Sequence, residues 1–236
     1  MDGMAIDGVL FDFSGTLFRL EPDGSWFDGS IGDPGMIMDS AGQDRLLRAL
    51  IAPTGPGAGL PAGLQRAWER RDLEPELHRL VYVEIMRGAG VSTSHAEHVY
   101  ELMLDPAHWR PYPDTEVVLR GLRDRGVKVA VVSNIAWDIR ASFDRLGVAD
   151  LVDAYVLSYV ENAAKPDLRL FRTACDRLGL PAGRTLMIGD SEEADGAAAA
   201  LGCDFQLVEP APVADRPDAL LRALRERGLL DETVVG

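Results

Sequence analysis

Residues 8–18 read GVLFDFSGTLF, an apolar run that closes on Asp12 and then turns through Ser14, Gly15 and Thr16. A short apolar run bounded by turn residues reads as a strand buried on both faces, as in a parallel sheet. Asp12 then stands at the strand's carboxyl end, where open α/β sheets bind their ligands. Four more runs have the same character: VKVAVVS (127–133), AYVLSY (154–159), TLMIGD (185–190) and DFQLVE (204–209). Helical patterns alternate with them from residue 113 onward. PDTEVVLRGLRDRG has Asp114 as its expected N-cap and Gly126 at its stop. KPDLRLFRTACDRLG puts Pro166 in the first turn, Leu168, Phe171, Cys175 and Leu178 on one face, and Gly179 at the end. Further helices fit 136–147, 192–201 and 217–227. The alternation predicts a doubly wound α/β core with a parallel sheet.

Residues 18–110 break that alternation. A loop rich in Gly, Pro and Asp, EPDGSWFDGSIGDPG, precedes helical segments near 40–51, 62–72, 75–88 and 94–104, which PTGPGAGLPAG interrupts. The expected organisation is a core of residues 1–17 and 111–236 with an all-helical module, 18–110, inserted after the first strand.

Composition narrows the function. The net charge of −14 argues against a nucleic-acid or anionic-membrane surface, since phosphate backbones need a basic face. An anionic substrate must therefore be drawn in locally, by a metal ion or a few cations. No run of about 18 apolar residues and no basic, apolar leader is present, so a cytoplasmic location is expected. Cys175 and Cys203 lack metal-ligand spacing and read as buried thiols in a reducing compartment. Only two of the 24 basic residues are lysines, Lys128 and Lys165. A chain that otherwise uses arginine and keeps Lys165 in AAKPDLRLF points to a compact ammonium there.

Three strand ends carry the polar groups: Asp12 to Thr16, Ser133-Asn134, and Gly189-Asp190-Ser191, with Lys165 in the loop after a further run. Asp12 is a candidate carboxylate nucleophile of the kind that forms aspartyl-phosphates. Asp12 and Asp190 can share a Mg²⁺, a hard ion that accepts one or two carboxylates together with waters and phosphate oxygens. Free amides around Gly15 and the Ser133 hydroxyl can donate to phosphoryl oxygens, with Lys165 offsetting developing charge. Gly15, Thr16, Ser133, Asn134 and Lys165 are thus the expected substrate-binding residues.

FDFSGTLF, VVSN, AAKPDLRLF and MIGDSEEAD, in this order, resemble the motifs of the haloacid dehalogenase-like (HAD) hydrolase superfamily, in the type with a helical cap after the first motif. The resemblance implies a Rossmann-like core. It makes Asp12 the nucleophile, Ser133 a phosphoryl ligand, Lys165 the stabiliser of both, and Asp190 a Mg²⁺ ligand, with 18 to about 110 a mobile cap that selects substrate. The implied activity is hydrolysis of a small phosphorylated metabolite. Oligomeric state is not legible.

Two positions depart from the pattern. Phosphatases of the family usually carry aspartate where this chain has Ser14. That side chain protonates the leaving group and activates water, while its main-chain carbonyl contacts the metal. Serine keeps the carbonyl ligand and loses an acid/base worth about 10²- to 10⁴-fold. Four readings follow: a slow phosphatase or one for activated esters; an acid supplied by the cap, from Glu84 or His78; a 2-haloacid dehalogenase; or a catalytically weakened phospho-ligand-binding protein. Dehalogenases usually have an aromatic residue here and use no metal, whereas GDSEEAD is rich in carboxylates. Phosphonate hydrolysis needs a cap lysine, which is absent. The second departure is the final acid: Asp195 at plus five is expected to orient metal waters or Lys165, with Glu193 at plus three as the other acid. In the cap, the pool of substrate contacts is Arg45, Arg66, Arg70, Arg71, Arg87, Trp26, Phe27, Trp68 and Tyr82, with Trp26 foremost. His95, His98 and His108 are expected at the surface.

Overall fold

In a computed structural model, residues 5–22 and 62–232 are described, together with Trp26, Gly42, Leu46, Leu50 and Leu60. Five strands form one parallel sheet: β1 (Gly8–Phe11), β4 (Lys128–Ser133), β5 (Ala154–Leu157), β6 (Thr185–Gly189) and β7 (Asp204–Leu207). Their order is β5-β4-β1-β6-β7. Two further short strands, β2 (Phe18–Leu20) and β3 (Trp109–Pro111), stand outside this sheet and pair with each other, where the chain leaves the sheet unit and returns. β1, β4 and β6 are buried along almost their whole length, as their unbroken apolar runs require. From β1 the chain adds β4 and β5 on one side, then crosses back to lay β6 and β7 on the other. The order therefore reverses between β1 and β6, and that crevice is where such sheets bind ligands.

Helices flank the sheet. Leu168–Leu178 turns Leu170, Phe171, Ala174, Cys175 and Leu178 inward against β4 and β5, and Gly179 ends it with φ +66°. Three local expectations are corrected. Pro166 precedes this helix; the N-cap is Asp167, whose carboxylate accepts from the Arg169 amide at 2.9 Å. Asp114 flanks the helix Thr115–Asp124 but caps a different one: its Oδ2 accepts from the amides of Leu220 and Leu221 (2.8 and 3.1 Å), at the start of Ala219–Glu226. Residues 192–201 form no α-helix; a 3₁₀ helix, Gly196–Leu201, follows a turn that Asp195 draws tight onto Ser191.

Backbone contacts divide the chain into two compact units, Met1–Arg19 with Trp109–Gly236, and Leu20–His108. The second unit is helical over Gln65–Arg70, Pro75–Gly88 and Thr93–Leu104, and at Gly42, Leu46 and Leu50. Its interior includes Trp68, Val81, Tyr82, Met86, Val99 and Met103. Arg45, Phe27 and most of the glycine-rich break at 53–63 lie outside the described residues. Among the described residues, no helix is long and apolar enough to cross a membrane.

Candidate active site

Strand register brings the polar groups together. Phe11 is level with Val131 of β4 and Ile188 of β6, so Asp12 leaves the sheet beside Val132 and Gly189, and its amide still donates to the Ile188 carbonyl (2.9 Å). Ser133 and Asp190 each follow one residue later on the flanking strands. One carboxylate oxygen from each of Asp12, Asp190 and Asp195 lies within 4.8 Å of the others.

Lys165 sits at the centre, with its side chain 3% exposed. Its Nζ donates to Asp12 Oδ1 at 2.6 Å, to Asp195 Oδ1 at 2.6 Å and to the Val132 carbonyl at 2.9 Å, which uses all three ammonium donors. Burial opposes its charge, but Asp12 and Asp195 more than reverse this and hold its pKa above that of an ordinary lysine. Burial also drives the Asp12 carboxyl up to about 7; Lys165 pulls it down, while Asp195 and Asp190 add to the rise. Asp190 is pushed up to about 6, by burial and then by Asp195, with Lys165 and Arg216 acting the other way. Three carboxylates against one ammonium is a site short of positive charge.

Asn134 is more committed than expected for a substrate ligand. Its amide accepts from the Lys165 main-chain N–H (2.7 Å) and donates to the Lys165 carbonyl (2.9 Å), so it sets the root of the lysine. Ser158, which sequence reasoning missed, does the same for the next residue: its hydroxyl accepts from Ile135 N–H (2.8 Å) and donates to Ile135 C=O (3.0 Å). Ser133 is buried at the strand end.

The loop after Asp12 is closed on itself. Gly15 N–H donates to the Phe18 carbonyl (2.7 Å) and Phe18 N–H to the Phe13 carbonyl (2.9 Å). The Gly15 amide is therefore not the free donor expected. What Gly15 provides is space: at φ +80°, a Cβ there would stand 2.2 Å from Asp190 Oδ2. Thr16 is fully buried, and its hydroxyl donates to Asp12 Oδ2 at 3.5 Å, a long contact that leaves this oxygen lightly engaged. Ser14 is half-buried at the bridge to Phe18.

Of the two candidate final acids, Asp195 reaches the site. It is 1% exposed, with Oδ1 on Lys165 and Oδ2 accepting from the Ser191 amide (3.0 Å), whereas Glu193 is exposed. Its position depends on Gly189, where a Cβ would come within 2.2 Å of Asp195 Cγ. With both Asp195 oxygens occupied, the donors fit for a divalent ion are Asp12 Oδ2 and the Asp190 carboxylate, hard oxygens of the kind Mg²⁺ takes.

In the helical unit the expected contacts turn inward. Trp26 is 3% exposed and packs edge-to-face on His108, with centroids 5.0 Å apart. Trp68 and Tyr82 are core, and Arg71 lies over the Trp68 ring. Arg70 and Arg87 pair with Glu74 and Glu84, while Arg66 is exposed. His78 is unsuited to supplying an acid. It is buried, stacked on Tyr82 and hydrogen-bonded through Nδ1 to Tyr100 (2.9 Å), and burial with the Arg71 charge lowers its pKa to about 3. His95 is buried, not at the surface; His98 is exposed.

The family description of haloacid dehalogenase-like hydrolases matches residues 6–202. The chain belongs to this family. Among its curated relatives is a ribulose-1,5-bisphosphate 5-phosphatase from Halopiger xanaduensis, 30% identical, with 72% of this chain and 84% of the relative covered. Among solved structures, a HAD phosphatase from Thermococcus onnurineus aligns with TM-score 0.58 at 24% identity, covering 94% of this chain and 98% of that one. A dehalogenase aligns with TM-score 0.61 at 18% identity, covering 94% and 97%. The shared architecture thus leaves the chemistry of this HAD-like hydrolase to its own side chains.

Proposed function

We propose that this HAD-like hydrolase is a Mg²⁺-dependent phosphatase of a small phosphorylated metabolite, working through an aspartyl-phosphate on Asp12. The observation that carries the reading is the grouping of Asp12, Asp190 and Asp195 oxygens within 4.8 Å at the sheet's mouth, with Lys165 bonded to two of the three. Asp12, Asp190 and the Ser14 carbonyl would hold the ion. When bound, Mg²⁺ offsets the repulsion between a carboxylate and a phosphate dianion. Lys165 keeps Asp12 oriented through Oδ1, and while one oxygen of that carboxylate would hold the ion, the other forms the new P–O bond as the ester oxygen departs with its electron pair. The Ser133 hydroxyl donates to a phosphoryl oxygen. Ser14 has no proton to pass at neutral pH, so the enzyme is slow on alkyl esters and favours leaving groups that depart as anions. A relative named for a phosphatase supports the reaction class. Unit Leu20–His108 serves as the substrate-selecting cap. The two free, buried cysteines suit a reducing cytoplasm.

The test is phosphate release from p-nitrophenyl phosphate. Release that depends on MgCl₂, stops with EDTA and is lost in Asp12→Asn is the expected result. Chloride release from 2-chloropropionate in the presence of EDTA would favour the dehalogenase instead. Saturable binding of a phosphorylated ligand with neither product would make this a binding protein.

A further inference from the structure

Arg216 is 4% exposed and lies beyond the span matched by the family description, which ends at residue 202. A buried guanidinium ordinarily faces a carboxylate. Among the described residues this one forms no salt bridge. Its fork grips main chain instead: Nη1 donates to the Gly15 carbonyl at 2.6 Å and to the Glu209 carbonyl at 3.3 Å, and Nη2 donates to the Thr16 carbonyl. The guanidinium carbon lies 3.2 Å from the centroid of the Tyr112 ring, and the Tyr112 hydroxyl is fastened to the Ala211 carbonyl (2.8 Å). Arg19 ties the same segment down, donating to the Pro210 carbonyl at 2.7 Å. The C-terminal segment 209–216 is thus fastened onto the loop that follows Asp12.

We infer that Arg216 is a positioning residue that fixes the 14–16 peptide planes through its two-carbonyl grip. Gly15 and Thr16 carbonyls turned toward Arg216 define the direction of the adjoining Ser14 peptide, and they keep the Thr16 hydroxyl beneath Asp12 Oδ2. Only a planar fork with parallel donors can bind two successive carbonyls while stacked on a ring; an ammonium keeps the charge and loses the geometry. The consequence for turnover rests on the phosphatase reading above, whereas the hold on the loop does not.

The experiment uses the full chain with Arg216→Lys and Arg216→Ala, each confirmed folded by circular dichroism. Hydrogen exchange of peptides spanning 13–18 should quicken in both variants while that of the sheet interior is unchanged. With p-nitrophenyl phosphate and saturating Mg²⁺, kcat should fall about 10- to 100-fold, as expected for a displaced catalytic loop, with KM nearly constant. Millimolar guanidinium should restore part of the Arg216→Ala activity, and an equal concentration of tetramethylammonium should not. Wild-type exchange at 13–18 in Arg216→Lys, or wild-type kcat in that variant, overturns the inference. If Arg216→Ala does not fold, Arg216→Lys decides alone. If the wild-type protein releases no phosphate, the phosphatase reading fails and the exchange measurement still judges the role of Arg216.

Discussion

Replacing Gly189 by alanine is a one-carbon change with a large expected effect. The new Cβ would stand 2.2 Å from Asp195 Cγ, 2.2 Å from its Oδ2 and 2.6 Å from its Cβ, none of which real contacts allow. Asp195 has no easy retreat, because it is buried and both its oxygens are engaged, with Lys165 and with the Ser191 amide. Overpacking of this kind costs about 1–3 kcal/mol. Displacing Asp195 adds the loss of a charge-assisted hydrogen bond, roughly 1.5–3 kcal/mol. Lys165 would still hold Asp12 and the Val132 carbonyl, so the charge is not orphaned and the total should stay near the lower sums, about 3–4 kcal/mol. In a chain of this size that lowers Tm by on the order of 10 °C. The assay is a double-mutant cycle by urea denaturation, with Gly189→Ala, Asp195→Gly and the pair. Asp195→Gly removes all three clashing atoms, the Cβ included, so Gly189→Ala should then cost under about 1 kcal/mol, a coupling of about 2–3 kcal/mol. Costs that simply add would refute the reasoning and mean that the strand end yields without involving Asp195.

Ser14→Asp should raise kcat on alkyl phosphates by at least about tenfold, out of the 10²- to 10⁴-fold that a positioned acid can supply, and change p-nitrophenyl phosphate turnover much less. A loss on both substrates would show a pocket organised around the hydroxyl. The folded pKa of His78, about 3, lies below its usual 6.5, so between these values the unfolded chain binds a proton that the folded chain refuses. Stability from this residue is complete above pH 6.5 and declines as pH falls toward 3, by at most about 1.4 kcal/mol per pH unit. His78→Phe should flatten that part of the stability–pH curve measured by urea denaturation; an unchanged slope would count against the assignment.

Much of the core was legible because its signals are local. Four of the five apolar runs are satisfied as largely buried strands, whereas DFQLVE forms the partly exposed edge strand β7, and the polar residues that end β1, β4 and β6 emerge on one side of the parallel sheet. Asp12, Lys165 and Asp190 could be chosen on those grounds, and the family resemblance assigned each a chemical task. The contacts that discriminate among neighbouring residues come from segments far apart in the chain. Asp195 differs from Glu193 because the turn on Ser191 swings one toward Lys165 and leaves the other in solvent. Asp114 looked like the cap of its own helix and instead satisfies Leu220 and Leu221, over a hundred residues away. Trp26 and His78 carried the right chemistry for a substrate contact or an acid, but burial assigned both to packing. Arg216 gave no signal among so many arginines; only the approach of the 209–216 segment to the loop after β1 supplies the carbonyls that its fork grips. Periodicity encodes which face of an element is buried, whereas a hydrogen-bond partner is determined by where a distant backbone comes to rest.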